Sequence, residues 1–115
     1  MQLETVGEVI AERELYIQQP DGSRKTVTVR IGRPQRFPDP TENYFVPYQI
    51  LGVGSEGVHY AGGVDTVQAL QLVMLIIGSH LSSINQESEE PIRWDGAVGG
   101  DLGFPVYASP EEEVG

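Results

Sequence analysis

Two histidines are the side chains best suited to acid–base or metal chemistry in this sequence. His59 falls in a predicted strand and His80 falls late in a predicted helix, and neither has another ligand type beside it at metal-binding spacing. The chain has no cysteine, which excludes thiolate nucleophiles and thiolate metal ligands. The sequence therefore predicts an ordinary structural or surface role for each histidine, no metal site and no cofactor.

A glycine-rich stretch from Gly52 to Gly63 lies between a predicted strand and a predicted helix, where phosphate-binding loops occur. It lacks the G-x-G-x-x-G pattern at the helix start, and Asp65 would repel a phosphate there. Ser55 lies in the sequence Gly-Ser-Glu-Gly, which differs from the G-x-S-x-G motif of an acyl-transfer nucleophile. These departures indicate turns and a helix cap, and they identify no catalytic residue.

One group of aromatic and polar residues is a candidate ligand-binding surface. In the third predicted strand two tyrosines alternate with apolar residues on one face, while a glutamine points to the other. An arginine upstream would be the natural anchor for a carboxylate or phosphate. The candidate ligand-binding residues are Arg33, Tyr44, Tyr48, Gln49 and Tyr60. Packing on a half-buried sheet is the alternative interpretation of the tyrosines.

Alternation of apolar and polar residues predicts four strands. They cover Gly7–Gln19, Lys25–Arg33, Tyr44–Val53 and Val58–Ala61. Pro20 to Ser23 has the composition of a tight turn, so the first two strands should form a hairpin. The prolines between Pro34 and Asn43 predict a surface loop, and Pro47 predicts an irregularity or an edge in the third strand.

One long helix is the clearest element of the pattern. Asp65 is a suitable N-cap, and Gln68 three residues later makes this a capping box in all but its first residue type. Apolar residues then recur at three- and four-residue spacing, which predicts a helix from Thr66 to Ser83 or Ile84. This periodicity requires the helix to pack along the sheet.

The predicted helix is apolar around most of its circumference. Its polar stripe is narrow and is interrupted by Leu75, so one face of a sheet cannot cover all of its apolar surface. The sequence leaves two possibilities for what packs on the remaining apolar surface of the helix. One is a C-terminal segment that contains Phe104, Val106 and Tyr107, and the other is a second subunit.

The C-terminal part of the chain is predicted to be an extension of the core. From Asn85 to Asp101 it is polar and glycine-rich, with Trp94 as one large apolar anchor. Residues Gly103–Ala108 are a candidate short strand, and Pro110–Gly115 has the composition of a solvated tail. The predicted organisation is one domain over residues 1–115, with a core at about 7–84 and an extension at about 85–115.

Charge and length limit the classes of partner. The 115 residues include 17 acidic and 7 basic side chains, for a net charge of −10, which excludes nucleic acid and anionic membrane surfaces as partners. The longest uninterrupted apolar run, Leu72 to Ile77, is far shorter than the roughly 18 residues that cross a bilayer, so no membrane span is predicted. The first residues do not resemble a signal peptide, which predicts a cytoplasmic protein.

Three short motifs mark the middle of the chain. They are Ile31-Gly32-Arg33-Pro34, Pro47-Tyr48-Gln49-Ile50, and the Val-Asp-x-x-Gln-Ala-Leu helix start from Val64 to Leu70. Together they resemble a family of small bacterial proteins of unknown function, over roughly Ile10 to Ser83. The resemblance implies a strand-rich N-terminal part followed by a helix. It implies no reaction and therefore no catalytic residue.

These patterns predict an α+β fold: a four-stranded, mostly antiparallel meander sheet, one long helix packed on one face, and an irregular C-terminal extension. The leading functional hypothesis is a noncatalytic cytoplasmic protein-interaction module, in one version of immunity type, whose acidic surface binds a basic protein partner. Two alternatives stay open. One is a homodimer that buries Leu75 and its neighbours, and the other is a small-molecule binder or enzyme that uses the aromatic candidate residues.

Overall fold

The computed structural model describes residues 1–97 and 99–105, and it has an α+β fold with one antiparallel sheet and one helix. The class, the antiparallel sheet and the long helix are as predicted. In chain order the elements of the described residues are β1 (Val9–Gln18), β2 (Arg24–Gly32), β3 (Gln35–Arg36), β4 (Tyr44–Leu51), β5 (His59–Gly63), α1 (Thr66–Gln86) and β6 (Ile92–Arg93).

The four longer strands follow one another as a meander. β1 pairs with β2, β2 with β4 and β4 with β5, all antiparallel. The β1–β2 hairpin turns where the sequence places Pro20 to Ser23, with Gly22 at a φ of 91° and a backbone hydrogen bond of 2.8 Å from Gln19 N to Ser23 O. Glycine tolerates this φ without steric cost, which fixes the turn and hence the register of the hairpin.

The predicted count of four strands is wrong, because two short strands join the same sheet. β3 forms inside the predicted loop and pairs with the beginning of β4, while β6 pairs with β1 at Ile17 and Tyr16. A strand of two residues has no alternation that a sequence can display. Ile92 of β6 is buried in the core, so its contacts with the rest of the protein stabilise the pairing.

Pro47 lies where the neighbouring strand is interrupted. One edge of β4 pairs with β5, whereas the other edge pairs with β2 from Tyr48 onward and with β3 before Val46. At this break a Cβ on Gly32 would lie 2.2 Å from the Val6 carbonyl oxygen and 2.7 Å from Pro47 Cγ. The sheet therefore has the irregularity predicted at Pro47, and a residue without a side chain lies against it.

The core lies between α1 and one face of the sheet. The buried stripe of α1 repeats every four residues and consists of Ala69, Val73, Ile77 and Leu81. It packs with inward-facing sheet residues that include Leu15, Val27, Val29, Val46 and Ile50. Burial of each large aliphatic side chain contributes roughly 1.5–3 kcal/mol, so this layer supplies most of the stability of the fold.

The start of α1 is held by the two residues that the sequence singles out as a cap. Asp65 Oδ1 accepts a hydrogen bond of 2.7 Å from Gln68 N, and Gln68 Oε1 accepts one of 2.8 Å from Val64 N. The glutamine thus reaches one residue further back than in an ordinary capping box. The helix ends at Gln86, slightly beyond the predicted end, since no proline or glycine interrupts residues 83–86.

The described part of the C-terminal segment is fixed by Arg13, which interrupts the apolar alternation of β1. The Arg13 guanidinium lies 4.0 Å from the ring centroid of Trp94 and 4.9 Å from that of Phe104. Its Nη1 also donates a hydrogen bond of 3.1 Å to the Leu102 carbonyl. This arrangement places the segment along one flank of α1, where a Cβ on Gly78 would lie 2.7 Å from the Pro105 carbonyl oxygen.

Several predicted features lie outside the described residues. Val106 and Tyr107, named with Phe104 as a covering for the helix, are among them, as is the tail Pro110–Gly115. Of the predicted strand Gly103–Ala108, only residues 103–105 are described, and these three do not form a strand.

Candidate functional site

The five candidate ligand-binding residues are distributed over two faces of the sheet. Tyr44 and Tyr48 lie on the face that α1 covers, where Tyr48 is only 2% exposed. The Tyr44 hydroxyl accepts a hydrogen bond of 3.2 Å from Arg36 Nε at the margin of that face. The Tyr48 ring is therefore part of the core, and the expected open aromatic surface is not formed on this side.

Gln49 and Tyr60 lie on the opposite face. Gln49 Nε2 donates a hydrogen bond of 2.7 Å to the Glu56 carbonyl, and Tyr60 packs edge-on against Phe37 and Phe45. The separation follows from the register, since Tyr60 is paired with Pro47 and so points away from Tyr48.

Among the described residues, no hydrogen bond, ion pair or aromatic contact joins Arg33 to the other four candidates. Its Nε lies 3.5 Å from a carboxylate oxygen of Glu8, and its backbone N–H donates to the Glu8 carbonyl at 2.9 Å. Ligand binding by these residues stays a prediction, but they lie on two faces of the sheet. A ligand that contacts all five would have to reach both sides of the sheet.

The same register gathers a cluster that sequence spacing does not reveal. Tyr48 is the cross-strand partner of His59, and their rings stack with centroids 5.4 Å apart. His80 approaches from α1, with Nδ1 2.9 Å from the Tyr48 hydroxyl and its ring centroid 5.2 Å from that of His59. The two histidines, which appear isolated in the sequence, are therefore direct neighbours.

Burial and charge set the ionisation of this cluster. Burial raises the pKa of the Tyr48 phenol above its ordinary value of 10.0. Burial, and secondly the charge that His59 carries when protonated, lower the pKa of His80 below its ordinary value of 6.5. These surroundings favour the uncharged form of His80. Within residues 1–97 and 99–105, no group of three histidine, cysteine or acidic side chains is placed to hold a metal ion.

The lowered pKa of His80 predicts acid sensitivity. The unfolded chain binds a proton at His80 near pH 6.5, before the folded chain does, so stability is complete above that pH and is lost as the pH falls toward the folded-state pKa. Urea unfolding of wild type and His80→Gln at several pH values between 7.5 and 5 measures the pH dependence of the free energy of unfolding. We expect the wild type to lose more stability than the variant, and equal losses would contradict the prediction.

The outer face of α1 is the second unusual feature. We define it as the side opposite the buried stripe, consisting of Gln68, Gln71, Leu72, Leu75, Ile76, Ser79 and Ser82. Leu72 and Ile76 are 37% and 38% exposed, and no residue from Thr66 to Gln86 is acidic, lysine or arginine. The face is thus uncharged and partly apolar.

By length and composition alone, α1 is apolar enough to cross a membrane, with a mean hydropathy of 1.5 over an 18-residue window. A count of uninterrupted apolar runs misses this property, because the interruptions are uncharged glutamine, serine and glycine. In this fold the buried stripe of α1 packs on the sheet, and 22% of the residues of that window are buried. The helix therefore contributes one stripe to the core and leaves a large uncharged surface outside it.

A shallow groove of about 510 Å³ runs along the outer face beside the C-terminal segment. It is lined by Gln68, Gln71, Leu72, Met74, Leu75 and Pro105. None of these side chains ionises, so the groove offers apolar contact and amide hydrogen bonds and has no group suited to proton transfer.

Comparison with known proteins gives a family and no activity. A family model described as a domain of unknown function (DUF6968) matches residues 11–106. No curated protein and no solved structure matches the chain. The matched region contains the strand and helix motifs and also extends past the end of α1, so it covers the segment that Arg13 holds.

Proposed function

The chain belongs to the DUF6968 family of domains of unknown function, and on the geometry above we propose that it is a noncatalytic protein-interaction module that binds its partner on the outer face of α1. The absence of charge along α1 carries this proposal. Charged residues make up 21% of the chain, so a helix of 21 residues would contain about four at that frequency. This helix contains none, although one of its sides faces solvent.

A surface of this kind is suited to contact with another protein. Charged residues are depleted at the centres of protein interfaces, because desolvation of a charge is costly. Exposed Leu72 and Ile76 supply apolar area, while the neighbouring glutamines and serines supply hydrogen bonds. The groove beside them has no ionisable lining, which supports binding and offers no support for catalysis.

The acidic residues support a narrower version, in which the partner is a basic protein and the role is of immunity type. Glu87, Glu89 and Glu90 follow the C-terminal end of α1 and are exposed. None of the ion pairs found among the described residues involves them. Charges at the rim of an interface steer a complementary partner, and their effect is screened by salt.

Capture from a host lysate tests the proposed surface. Wild type, Leu72→Glu and the control Ile10→Glu are immobilised. Ile10 is a matched control because it is 48% exposed on β1 and lies outside α1. We expect Leu72→Glu to lose at least about 90% of the captured partner, because a glutamate would be desolvated in the interface, and Ile10→Glu to retain it. Loss of capture at high salt would support the basic-partner version.

Two results would contradict the proposal. One is equal capture by wild type and Leu72→Glu, which would place the contact elsewhere. The other is a protein that captures no partner and does not self-associate but sediments with phosphatidylcholine vesicles. That combination would make the outer face a lipid-binding surface.

A further inference from the structure

The C-terminal segment returns along one flank of α1, in the direction opposite to that of the helix. We call its residues 99–105 the strap. Leu102 and Asn85 line one cavity near the C-terminal end of α1, while Pro105 lies further back along the helix, at Gly78. Pro105 also lines the groove of the outer face. The strap thus ends as one wall of the groove beside the proposed partner surface.

The strap is lightly packed on both of its sides. A cavity of about 340 Å³ lies between it and the C-terminal half of α1, and one of about 200 Å³ lies between it, α1 and the strands β1 and β2. Among the described residues, no backbone–backbone hydrogen bond joins the strap to the sheet or the helix. A segment with so few stabilising contacts has a low local stability, so single side chains can determine its position.

Arg13 of β1 supplies the contacts that hold the strap. Of the hydrogen bonds found between described residues, the one that joins the strap to the rest of the fold runs from Arg13 Nη1 to the Leu102 carbonyl, at 3.1 Å. Gly103 packs so closely here that a Cβ would overlap the Trp94 ring and lie 2.5 Å from Arg13 Nη1. The guanidinium also stacks between Trp94 and Phe104, and it is therefore enclosed by the segment that it holds.

We propose that Arg13 is a latch, which holds the strap closed on α1 and thereby controls binding of the partner on the outer face. With the strap closed, Pro105 lies at the groove together with Met74 and Leu75. Without the latch, the strap leaves α1 and the groove loses this wall. The inference rests on the proposed function, because it describes how the same surface is regulated. Arg13 is not among the residues that line the groove, so it is a positioning residue.

Control of this kind is reciprocal. A closed strap presents the groove in its binding form, so less conformational freedom is lost when the partner binds. A bound partner should in turn hold the strap closed, because two events that favour one conformation also favour each other.

Trp94 reports the position of the strap, since it is the only tryptophan of the chain and its ring lies against Arg13 and Gly103. Arg13→Met keeps an unbranched apolar side chain at the ring and removes the charge and the N–H donors. We expect acrylamide quenching of Trp94 fluorescence to rise about twofold or more as the strap opens. Arg30→Met is the matched control and should leave quenching unchanged, because Arg30 pairs with Glu12 on the opposite face of the sheet.

Gly78→Ala displaces the strap and leaves the latch in place. Its Cβ would lie 2.7 Å from the Pro105 carbonyl oxygen and 3.4 Å from Phe104 Cβ, so the strap has to move away. The replacement also raises the helix propensity of α1 by about 1 kcal/mol, so a loss of binding cannot be attributed to a weaker helix. We expect Trp94 quenching to rise in this variant as it does in Arg13→Met.

Capture from a host lysate connects the strap to the outer face. Arg13→Met and Gly78→Ala should each lower the captured amount of the partner about fivefold or more, and their combination should lower it no further, because both changes remove the same wall. Arg30→Met should capture as much partner as the wild type does.

The outcomes separate this inference from the proposed function. Unchanged Trp94 quenching in Arg13→Met would overturn the latch, and raised quenching with full capture would overturn the control of binding by the strap. In both cases, loss of capture by Leu72→Glu would leave the proposed function standing. Full capture by Leu72→Glu, or a wild type that captures no protein, would overturn the proposed function and the control by the latch together.

Discussion

Replacement of Ile77 by alanine is expected to lower the free energy of unfolding by about 2–5 kcal/mol. Ile77 is 0% exposed and lies in the buried stripe of α1 that packs on the sheet. The smaller side chain loses apolar burial and leaves a cavity that the surrounding strands can fill only in part. Urea denaturation of the purified protein measures the change.

Ile76→Ala is the matched control, one position further back on the same helix. Ile76 is 38% exposed on the outer face, so its truncation should cost less than about 1 kcal/mol. Helix propensity changes almost equally in the two variants, which leaves burial as the difference. Similar losses of unfolding free energy at the two positions would show that α1 does not pack on the sheet through the buried stripe that contains Ile77.

Gly63→Ala should cause the second large effect, a loss of about 1–3 kcal/mol or more. A Cβ at this position would lie 2.5 Å from Ala69 N and 3.0 Å from Ala69 Cα, which are backbone atoms of the first turn of α1. The helix cannot move away without disturbing the cap formed by Asp65 and Gln68. Thermal unfolding followed by circular dichroism gives the shift in melting temperature.

Gly57→Ala is the control for general effects of glycine replacement. Its added Cβ would meet only the Ser55 hydroxyl oxygen, at 3.8 Å, within the loop before β5. We expect a change within about 0.5 kcal/mol, and a stabilising one is compatible with the reduced freedom of the unfolded chain. An equally small effect for Gly63→Ala would mean that α1 begins further from β5 than the structure shows.

The long elements were predictable because their signals are local. Alternation in β1, β2 and β4 and the spacing of apolar residues in α1 follow from the geometry of each element by itself. The excess apolar surface around Leu75 was visible for the same reason. In contrast, β3 and β6 are too short to show a period, and their pairing depends on neighbours distant in the sequence.

The candidate site depended on register, which the sequence does not encode locally. Tyr60 was grouped with Tyr48 because both are strand tyrosines, yet β5 pairs so that His59 and not Tyr60 is next to Tyr48. A shift of one residue exchanges the faces of every side chain in a strand. The same shift determines whether His59 reaches His80 on α1, so the cluster could not be found by spacing alone.

The most direct test of the outer face as a contact surface is the amount of protein that immobilised wild type and Leu72→Glu capture from a host lysate. We predict that the wild type retains a protein partner and that Leu72→Glu loses at least about 90% of it, because Leu72 is 37% exposed on that face. Equal capture by the two proteins would contradict the proposed surface.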